Sequence, residues 1–430
     1  MSIALTIFCI SFLVLLLGGM PVAWAMLSSA VLWMIISDHS VFMLVVPDRI
    51  FQGIDVFILM AIPLFILAGE LINAARMTDH LVKLANFVFG WIKGGLAQVN
   101  IGASILFSGI TGVALGDIAT LGRIFIPAMI KHNYPPAYAA AVTAASSIIG
   151  PMVPPSLIVI IYGAATGVSI GALFAACIIP GLLIGLLQIV LVWRQANLRG
   201  FPAVEMERTP KQFVKVSRKA MIPLMIPVII LVGIMGGLMT PTEAGAVASV
   251  YALFVAVFVY RNMSVTQFAT TLRDTTRFSS KLLIIVGCGA VFSWVLAIEN
   301  VPDTLAQLIN SAELDSISVL LIANAFLLFI GMFIDPAAAI ILFAPLLSEI
   351  VQQVGVDPVH FGVVVILNLN LGLLTPPLGI CLFATEDIAK CGIPALIREI
   401  LPFLAIGLAG LLIITYAPSL SLWLPRLLGF

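Results

Sequence analysis

Four segments of the chain place glycine, proline and polar residues inside an otherwise apolar sequence. Each half has a turn rich in Gly, hydroxyl groups or acid and then a break with a Pro-Pro pair: 104–122 (SILFSGITGVALGDIATLG), 145–163 (ASSIIGPMVPPSLIVIIYG), 331–347 (GMFIDPAAAIILFAPLL) and 368–384 (NLNLGLLTPPLGICLFA). Proline removes a backbone donor and displaces a carbonyl, and glycine permits a sharp turn. The freed carbonyl oxygens suit a hard cation such as Na⁺, and the N-terminus of the next half-helix presents N–H groups to an anion. The segments predict a cation site beside a carboxylate site; simple proline kinks are the alternative.

Two aspartates, Asp117 and Asp335, lie in these segments at corresponding places of the two halves. An ionisable residue inside an apolar stretch is a functional-site hypothesis by default. The alternative is that each aspartate caps a helix N-terminus, and the sequence leaves both interpretations open. Paired aspartates are also typical of aspartic intramembrane proteases. Residues 114–117 (ALGD) lack the first glycine of the GxGD motif, and Pro336 follows Asp335, which argues against proteolysis.

Other catalytic chemistry finds no support in the sequence. The four histidines have no HExxH-like spacing, and the five cysteines form no CxxC pair, so neither a transition metal nor a disulfide framework is indicated. Walker A, GxGxxG and nucleophile-elbow motifs do not occur. We therefore predict that the protein is not an enzyme and that transport would draw on an ion gradient.

The elements that position these residues must be membrane helices. Of 430 residues, 62% are hydrophobic and 9% are charged, whereas roughly a quarter of the residues in a soluble domain are charged. At about 20 apolar residues per crossing, the chain has room for roughly ten to twelve helices in a lipid bilayer. Basic and acidic residues balance at 20 each, so no nucleic-acid partner is predicted. The N-terminal apolar run continues to Ile36 and predicts a retained segment.

A polar stretch at the middle of the chain, 194–219, holds seven of the twenty basic residues and is predicted to be cytoplasmic. On either side of it the sequence repeats. Pro154 and Pro155 in the first half match Pro376 and Pro377 in the second. Further anchors at nearly the same separation are Pro21 with Pro241, Pro136 with Pro358 and Pro180 with Pro402. The pattern predicts an internal duplication, either parallel or inverted.

The interruptions favour hairpins that dip into the membrane, or helices that unwind halfway. Two amphipathic segments, 76–93 and 261–281, are predicted to lie in the interface, although a charged loop is an equal alternative for the second. The predicted organisation has the following parts: a first repeat 1–193 with scaffold helices 1–75, an arm helix 76–93 and hairpin and transport elements 94–193; a cytoplasmic basic loop 194–219; and a second repeat 220–430 with scaffold helices 220–260, an arm segment 261–281 and hairpin and transport elements 282–430.

With its duplicated halves, SGITG turn, VPPS break and TPPLG break, the sequence resembles the large membrane subunit of the tripartite ATP-independent periplasmic (TRAP) transporters along essentially its whole length. The resemblance implies an all-α polytopic membrane protein of two inverted repeats with re-entrant hairpins and broken helices. It also implies an elevator mechanism, in which a transport domain slides against a scaffold. The implied function is Na⁺-coupled import of an organic anion, such as a C4-dicarboxylate, a sugar acid or sialic acid, across the bacterial inner membrane. The implied partners are a small four-helix membrane subunit and a periplasmic substrate-binding protein.

The family's sites carry over to particular positions of this chain. The resemblance implies a first sodium site at Ser108, Gly150, Val153 and Pro155, and a second at Gly331, Gly372, Thr375 and Leu378. The substrate space is implied to lie near Thr111, Ser156, Asn368, Asn370, Asp117 and Asp335. A stand-alone carrier of the divalent-anion/sodium symporter type is the runner-up, because it would share repeats and hairpins without needing the two partners. Nothing in the sequence identifies the anion.

Overall fold

The computed structural model describes residues 3–203, 209–311 and 314–430, without the side chains of 110, 111, 305, 306 and 308–310. Within these ranges every regular element is a helix, and the all-α prediction is confirmed.

The first half of the described chain begins with short helices and ends with a long one. The helices are α1 (Ile3–Leu17), α2 (Val22–Ile36), α3 (Val46–Ile54), α4 (Ala61–Ala74), α5 (Thr78–Phe89), α6 (Gly95–Thr111), α7 (Ala114–Asp117), α8 (Arg123–Lys131), α9 (Pro136–Ser147), α10 (Leu157–Thr166) and α11 (Ile170–Arg199). Short 3-10 segments, Ser40–Leu44 and Phe57–Met60, lie next to α3 and α4. A π-helical turn, Ile118–Gly122, joins α7 to α8, so this stretch is helical from its first residue to its last.

The second half follows the same plan with longer helices. They are α12 (Pro210–Met235), α13 (Pro241–Phe254), α14 (Val265–Ile298), α15 (Val301–Ser311), α16 (Ser316–Gly331), α17 (Pro336–Gln353), α18 (Pro358–Gly372), α19 (Ile380–Ala389), α20 (Ile393–Tyr416) and α21 (Ser419–Leu427). A π-helical segment, Val255–Val259, extends α13.

Seven helical stretches among the described residues are long and apolar enough to span a bilayer. They are Phe57–Ala74, Ile170–Arg199, Pro210–Met235, Pro241–Val259, Val265–Ile298, Pro336–Gln353 and Ile393–Tyr416. Five further apolar helices are shorter: Ile3–Leu17, Val22–Ile36, Leu157–Thr166, Ser316–Gly331 and Pro358–Gly372. The ten-residue helix α10 is only about 15 Å long, half of the roughly 30 Å hydrocarbon core.

Each half contains a helical hairpin that turns back within the molecule. The first consists of α6 and the helical stretch α7 to α8, and its turn is at Gly112, whose φ of +59° suits glycine. The second consists of α16 and α17, and its two outer ends are joined by the hydroxyl of Ser316, which donates to the carbonyl of Val354 at 2.5 Å. The predicted hairpins are therefore present in the described chain.

The two hairpins are fastened to the broken helices by matching hydrogen bonds. In the first half the Ser104 hydroxyl donates to the Ser146 hydroxyl at 3.0 Å, joining α6 to α9. In the second half the amide of Asn368 donates to Oδ1 of Asn324 at 2.8 Å, joining α18 to α16. Under the internal repeat, Ser104 corresponds to Asn324 and Ser146 to Asn368. The contacts support the repeat and show that polar side chains hold each hairpin.

The two aspartates, however, do not occupy equivalent places. Asp335 is the N-cap of α17 and accepts from the Ala337 N–H at 2.9 Å, so the capping alternative is confirmed for it. The corresponding N-cap in the first hairpin is Val113, and Asp117 lies one helical turn further on. The predicted match of Asp117 with Asp335 is wrong because Asp335 is itself the N-cap of its helix, whereas Asp117 lies four residues beyond the N-cap Val113.

A second layer of helices packs around α4, α13 and α14: α2 and α3 contact α14, α12 contacts α13, and α14 also contacts α17 of the second hairpin. Ser249 on α13 donates to the carbonyl of Leu64 on α4 at 2.7 Å. A capping box between Thr240 and Glu243 starts α13. The helix α14 lies against α3, where a Cβ on Gly287 would come within 2.8 Å of Ile50. Small residues here allow close helix approach.

The structure revises two segment boundaries. The basic stretch 194–219 is largely helical, since α11 continues to Arg199 and α12 begins at Pro210; residues 204–208 lie outside the description. The segment 261–281 is not a loop but the start of α14, which a capping box of Ser264 and Gln267 initiates. No glycine or proline interrupts α14 before Gly287, and therefore the arm continues directly into a membrane span.

The first arm, α5, lies beside the start of the second. His80 stacks on Tyr260 with ring centroids 5.4 Å apart, and the amide of Asn262 donates to the carbonyl of Ala75 at 2.7 Å. Burial lowers the pKa of His80, and the nearby Lys83 and Lys219 lower it further. The two predicted arms thus meet at one side of the molecule.

Candidate functional site

The first break, between α9 and α10, lies against the tip of the first hairpin. A Cβ on Gly112 would be 2.7 Å from the Leu157 nitrogen, and one on Gly109 would be 3.0 Å from Cδ of Pro155. Ser108 precedes Gly109 in α6 and is buried, and its hydroxyl donates to the Ile105 carbonyl at 2.7 Å. The hydroxyl oxygen keeps its lone pairs, so Ser108 can accept a cation beside the Pro-Pro break.

Asp117 lies directly behind this break. A Cβ on Gly150 would overlap the Asp117 carboxylate, which shows how closely the two residues approach. Asp117 is 1% exposed. A carboxylate at this distance raises the negative potential around the carbonyl groups of the break and favours a cation there.

The second break, between α18 and α19, is built by close approach of two backbones. A Cβ on Gly372 would lie between 2.5 and 2.7 Å from three backbone atoms of Gly331. Thr375 follows in the turn, is almost buried, and donates its hydroxyl to the Leu371 carbonyl at 2.9 Å. Leu378, by contrast, is 44% exposed. Gly331, Gly372 and Thr375 are therefore together, as the predicted second sodium site requires.

The two breaks are neighbours in space. Helix α9, which leads into the first break, packs against α19, which leaves the second. The Ser147 hydroxyl donates to the sulfur of Cys381 at 3.9 Å across this contact. The oxygen-rich turns of both halves are consequently parts of one region.

A cavity of about 180 Å³ lies between the hairpin tips, the breaks and α14. Its walls are formed by five parts of the chain: the first hairpin tip (Val113, Ala114, Leu115), the first break (Pro151, Leu157, Ile158), the second hairpin (Asp335, Pro336, Ala337), the second break (Asn370, Leu373) and α14 (Phe278, Lys281, Leu282, Ile285). Both repeats and a helix outside the hairpins thus contribute to a single chamber.

Three helix N-termini meet at this cavity, and they differ in how they are capped. Ser156 accepts from the Val159 N–H at the start of α10, and Asp335 occupies the start of α17. The N-cap of α7, Val113, makes no side-chain capping hydrogen bond. The dipole of α7 attracts negative charge at this end, and the acidic side chain of Asp117 in the first turn of the same helix opposes that attraction.

The polar lining of the cavity comes from Lys281, Asp335 and Asn370. Of the predicted substrate residues, Asp335 and Asn370 therefore line it. Ser156 instead caps α10, Asn368 bonds to Asn324, and Asp117 packs at Gly150. The side chain of Thr111 lies outside the described part of the chain.

Lys281 lines the cavity but is not among the site residues predicted from the sequence. It stands at the end of the predicted arm, immediately before the apolar run LLIIVGCGAVF. That position was the available signal: a single lysine where a polar helix enters the membrane. It could not be placed at the cavity from the sequence because α14 meets the hairpins only in the folded chain.

The donors at both breaks suit Na⁺ rather than a transition metal. Hydroxyl and backbone carbonyl oxygens are hard ligands. The described residues contain no group of three or more His, Cys, Asp and Glu side chains that could hold a metal ion. In addition, Oδ1 of Asn368 and Oδ1 of Asn370 are buried and accept no hydrogen bond within the described chain.

The sequence matches the family described as the DctM component of the tripartite ATP-independent periplasmic transporters over residues 9–420. It is 39% identical over 417 residues to the sialic acid TRAP transporter large permease protein SiaM of Vibrio cholerae, and the match covers 97% of each chain. It is 36% identical over 403 residues to the C4-dicarboxylate TRAP transporter large permease protein DctM of Pseudomonas aeruginosa, and that match covers 94% of each.

Among solved structures, the YdaH transporter of Alcanivorax borkumensis is similar in fold, with a TM-score of 0.66 over 90% of each chain at 15% identity. The match to the family model spans both repeats, both hairpins and both breaks. This chain belongs to the DctM family, the large permease subunits of the tripartite ATP-independent periplasmic transporters.

Proposed function

We propose that this inner-membrane permease imports a small organic anion and couples the import to Na⁺. The observation that carries the proposal is the meeting of two oxygen-rich breaks and two hairpin tips at one cavity. Cation sites at the breaks would offset the negative potential of Asp117 and Asp335. An anion could then bind at the uncapped start of α7.

Relatives with known names support the organic-anion part of the proposal. The two relatives are named for sialic acid and for C4-dicarboxylates, and both substrates carry carboxylates. The family's large membrane component works with a small membrane subunit and a substrate-binding protein. We propose the same assembly for this chain, with a binding protein delivering the anion from the periplasm.

The division of the helices into two layers supports an elevator-type movement. In this proposal the hairpins, the breaks and α9, α10 and α18 to α20 form the transport domain. Helices α4, α13 and α14 form the scaffold. The contact between them includes Gly289 on α14, where a Cβ would overlap Ile341 on α17. Packing through glycine leaves a smooth surface along which the domain can slide.

The test is uptake by liposomes that contain this chain with its small subunit, supplied with the binding protein and its anion. Uptake is expected to require an inward Na⁺ gradient and to stop when K⁺ or choline replaces Na⁺. Equal uptake in choline would overturn the sodium coupling. A stand-alone symporter is the alternative, and uptake that is unchanged without the small subunit and the binding protein would favour it.

The Ser108→Ala variant examines the first sodium site separately. Removing the Ser108 hydroxyl is expected to raise the Na⁺ concentration for half-maximal uptake several-fold, because one hard ligand would be lost. Ser11→Ala is a matched control, since the Ser11 hydroxyl likewise donates to a carbonyl one helical turn earlier, in α1. An unchanged Na⁺ response in Ser108→Ala would remove this residue from the site.

A further inference from the structure

An apolar groove of about 730 Å³ lies between α1 and the second hairpin, away from the cavity at the breaks. We call it the α1–α16 groove. Helices α1, α14, α15, α16 and α17 all contribute to its walls, with Leu13, Phe292, Ala323 and Phe326 among the lining residues. Every described lining residue is apolar, since the free Cys9 behaves as a small hydrophobe.

The α1–α16 groove has an exposed mouth and a buried floor. Leu13, Ile322 and Phe326 are between 37% and 57% exposed, whereas Val319 and Ile330 are buried. Water does not fill such a space well, because a bound water needs polar partners. An empty groove would forfeit the dispersion contacts of its walls. In a bilayer the groove therefore takes up an apolar molecule.

The dimensions of the groove identify the kind of molecule. Its α16 wall runs from Val319 to Ile330, which is roughly 17 Å at about 1.5 Å per residue. This length is close to the depth of one leaflet, half of the roughly 30 Å hydrocarbon core. Over that length, a volume of about 730 Å³ gives a mean cross-section of roughly 40 Å². An α-helix about 10–12 Å across needs roughly 80–110 Å², so extended acyl chains fit and a partner's helix does not.

In the first half of the molecule, the equivalent interface is closed by direct packing. Helix α12 matches α1, because they precede Pro241 and Pro21, and α6 matches α16 as the first helix of its hairpin. Helix α12 contacts α6, where a Cβ on Gly109 would lie 2.7 Å from Cβ of Pro227. In the second half, the α1–α16 groove separates the two matching helices. One copy of the repeat thus has a protein contact where the other has room for an apolar molecule.

We propose that the α1–α16 groove binds the acyl chains of a membrane phospholipid within one leaflet. The chains pack between the second hairpin and helices α1 and α14. They replace the direct contact that α12 makes with the first hairpin, so the second hairpin meets lipid where the first meets protein. Occupancy of the groove requires neither Na⁺ nor the transported anion.

The experiment uses the purified complex of this chain with its small subunit, in vesicles of phosphatidylethanolamine and phosphatidylglycerol. A trace of phosphatidylcholine carries a diazirine midway along one acyl chain. After illumination, mass spectrometry identifies the labelled residues. Labels are expected on both walls of the groove, at Leu13 and at Ile330. Because Ile330 is only 8% exposed and lines the groove, its labelling reports a chain inside the groove rather than bulk lipid.

Two variants fill the groove from opposite walls. Ala323→Phe adds a ring from α16, and Leu13→Trp adds one from α1. Both are expected to remove most of the labelling at Ile330. Leu321→Phe and Ile10→Trp are the matched controls and should retain it, because these exposed residues lie on the same two helices but do not line the groove. Leu13→Trp keeps the test decisive if Ala323→Phe is poorly folded.

The absence of label at Ile330 in wild type would overturn the proposal. So would equal labelling of Ile330 in each filling variant and its control. A helix of the small subunit in the groove is the remaining outcome, and a maleimide–diazirine reagent attached to Cys9 would then join the two subunits; this result would also overturn the proposal. None of these results bears on Na⁺-driven uptake, which the liposome assay tests separately.

Discussion

The two breaks of this permease have the same topology but are formed by different chemical groups. In the first, hydroxyl side chains and the buried Asp117 surround the Pro-Pro turn, and Gly150 makes room for the carboxylate. In the second, Gly331 and Gly372 bring two backbones into contact, and the neighbouring polar side chains are the amide of Asn368 and the hydroxyl of Thr375. The two repeats therefore form two similar candidate cation sites from different groups. The first depends on electrostatics and the second on the absence of side chains.

Because the second break depends on backbone contact, the largest effect should follow from adding one methyl group there. In Gly372→Ala the new Cβ would lie within 2.7 Å of three Gly331 backbone atoms, and backbone cannot rotate away. Overpacking of this kind costs about 1–3 kcal/mol. We expect Na⁺-driven uptake to be nearly abolished, as measured in liposomes.

Gly122→Ala is a suitable control for this substitution. Its new Cβ would be 3.3 Å or more from side-chain methyl groups, which can yield. Uptake by Gly372→Ala at the level of Gly122→Ala would contradict the backbone-contact account of the second break.

The first break should respond to the same addition in a way that depends on a side chain. Gly150→Ala would overlap the Asp117 carboxylate, so removing that carboxylate should relieve the clash. A double-mutant cycle with Asp117→Ala, followed by thermal unfolding, is expected to show a coupling of about 0.5–3 kcal/mol. Strictly additive effects on the melting temperature would mean that the two residues do not interact.

A smaller difference is expected between the two sets of hydrogen bonds that hold the hairpins. Asn368→Ala removes two hydrogen bonds to Asn324, at 2.8 and 2.9 Å, and leaves buried groups unpaired. Ser146→Ala removes the bond from Ser104, at 3.0 Å, and a longer one to the Thr143 carbonyl, at 3.2 Å. The costs should be about 1–3 and about 1 kcal/mol respectively. Chemical or thermal unfolding can rank them, and a larger loss for Ser146→Ala would reverse the expected order.

The smallest effect should come from the hydroxyl of the second break. Thr375→Val removes the hydroxyl but keeps the shape, and in the proposed site Gly331 and Gly372 would still contribute carbonyl oxygens. The Na⁺ concentration for half-maximal uptake is expected to rise less than in Ser108→Ala, because the first break relies more on side chains. A greater rise in Thr375→Val than in Ser108→Ala would remove the distinction between the breaks.

Much of this architecture could be predicted from the sequence because glycine and proline mark it directly. The Pro-Pro pairs indicate where both breaks lie, and their recurrence at matching positions of the two halves indicates that the two breaks are equivalent. Turn length could not be predicted in the same way. The turn before Asp335 spans residues 332–335, whereas the first turn spans 112 and 113, and Asp117 lies four residues beyond the N-cap that corresponds to Asp335. Counting equivalent residues is reliable within helices and fails across turns.

Lys281 illustrates the other limit. Its helix continues from an amphipathic arm into an apolar span, and hydrophobic patterning alone set the predicted arm boundary at this residue. Lys281 lines the same cavity as Asn370 and the hairpin tips, and this proximity depends on tertiary packing. Local composition carries no information about such neighbours.

The most direct test of the account is the Na⁺ dependence of anion uptake by liposomes containing the wild-type complex. Because two breaks border one cavity, uptake is expected to rise steeply with Na⁺, with a Hill coefficient above one. The coefficient should fall toward one in Gly372→Ala if any uptake remains. Uptake that is independent of Na⁺, or that already has a Hill coefficient of one in wild type, would contradict the claim that both breaks bind the coupling ion.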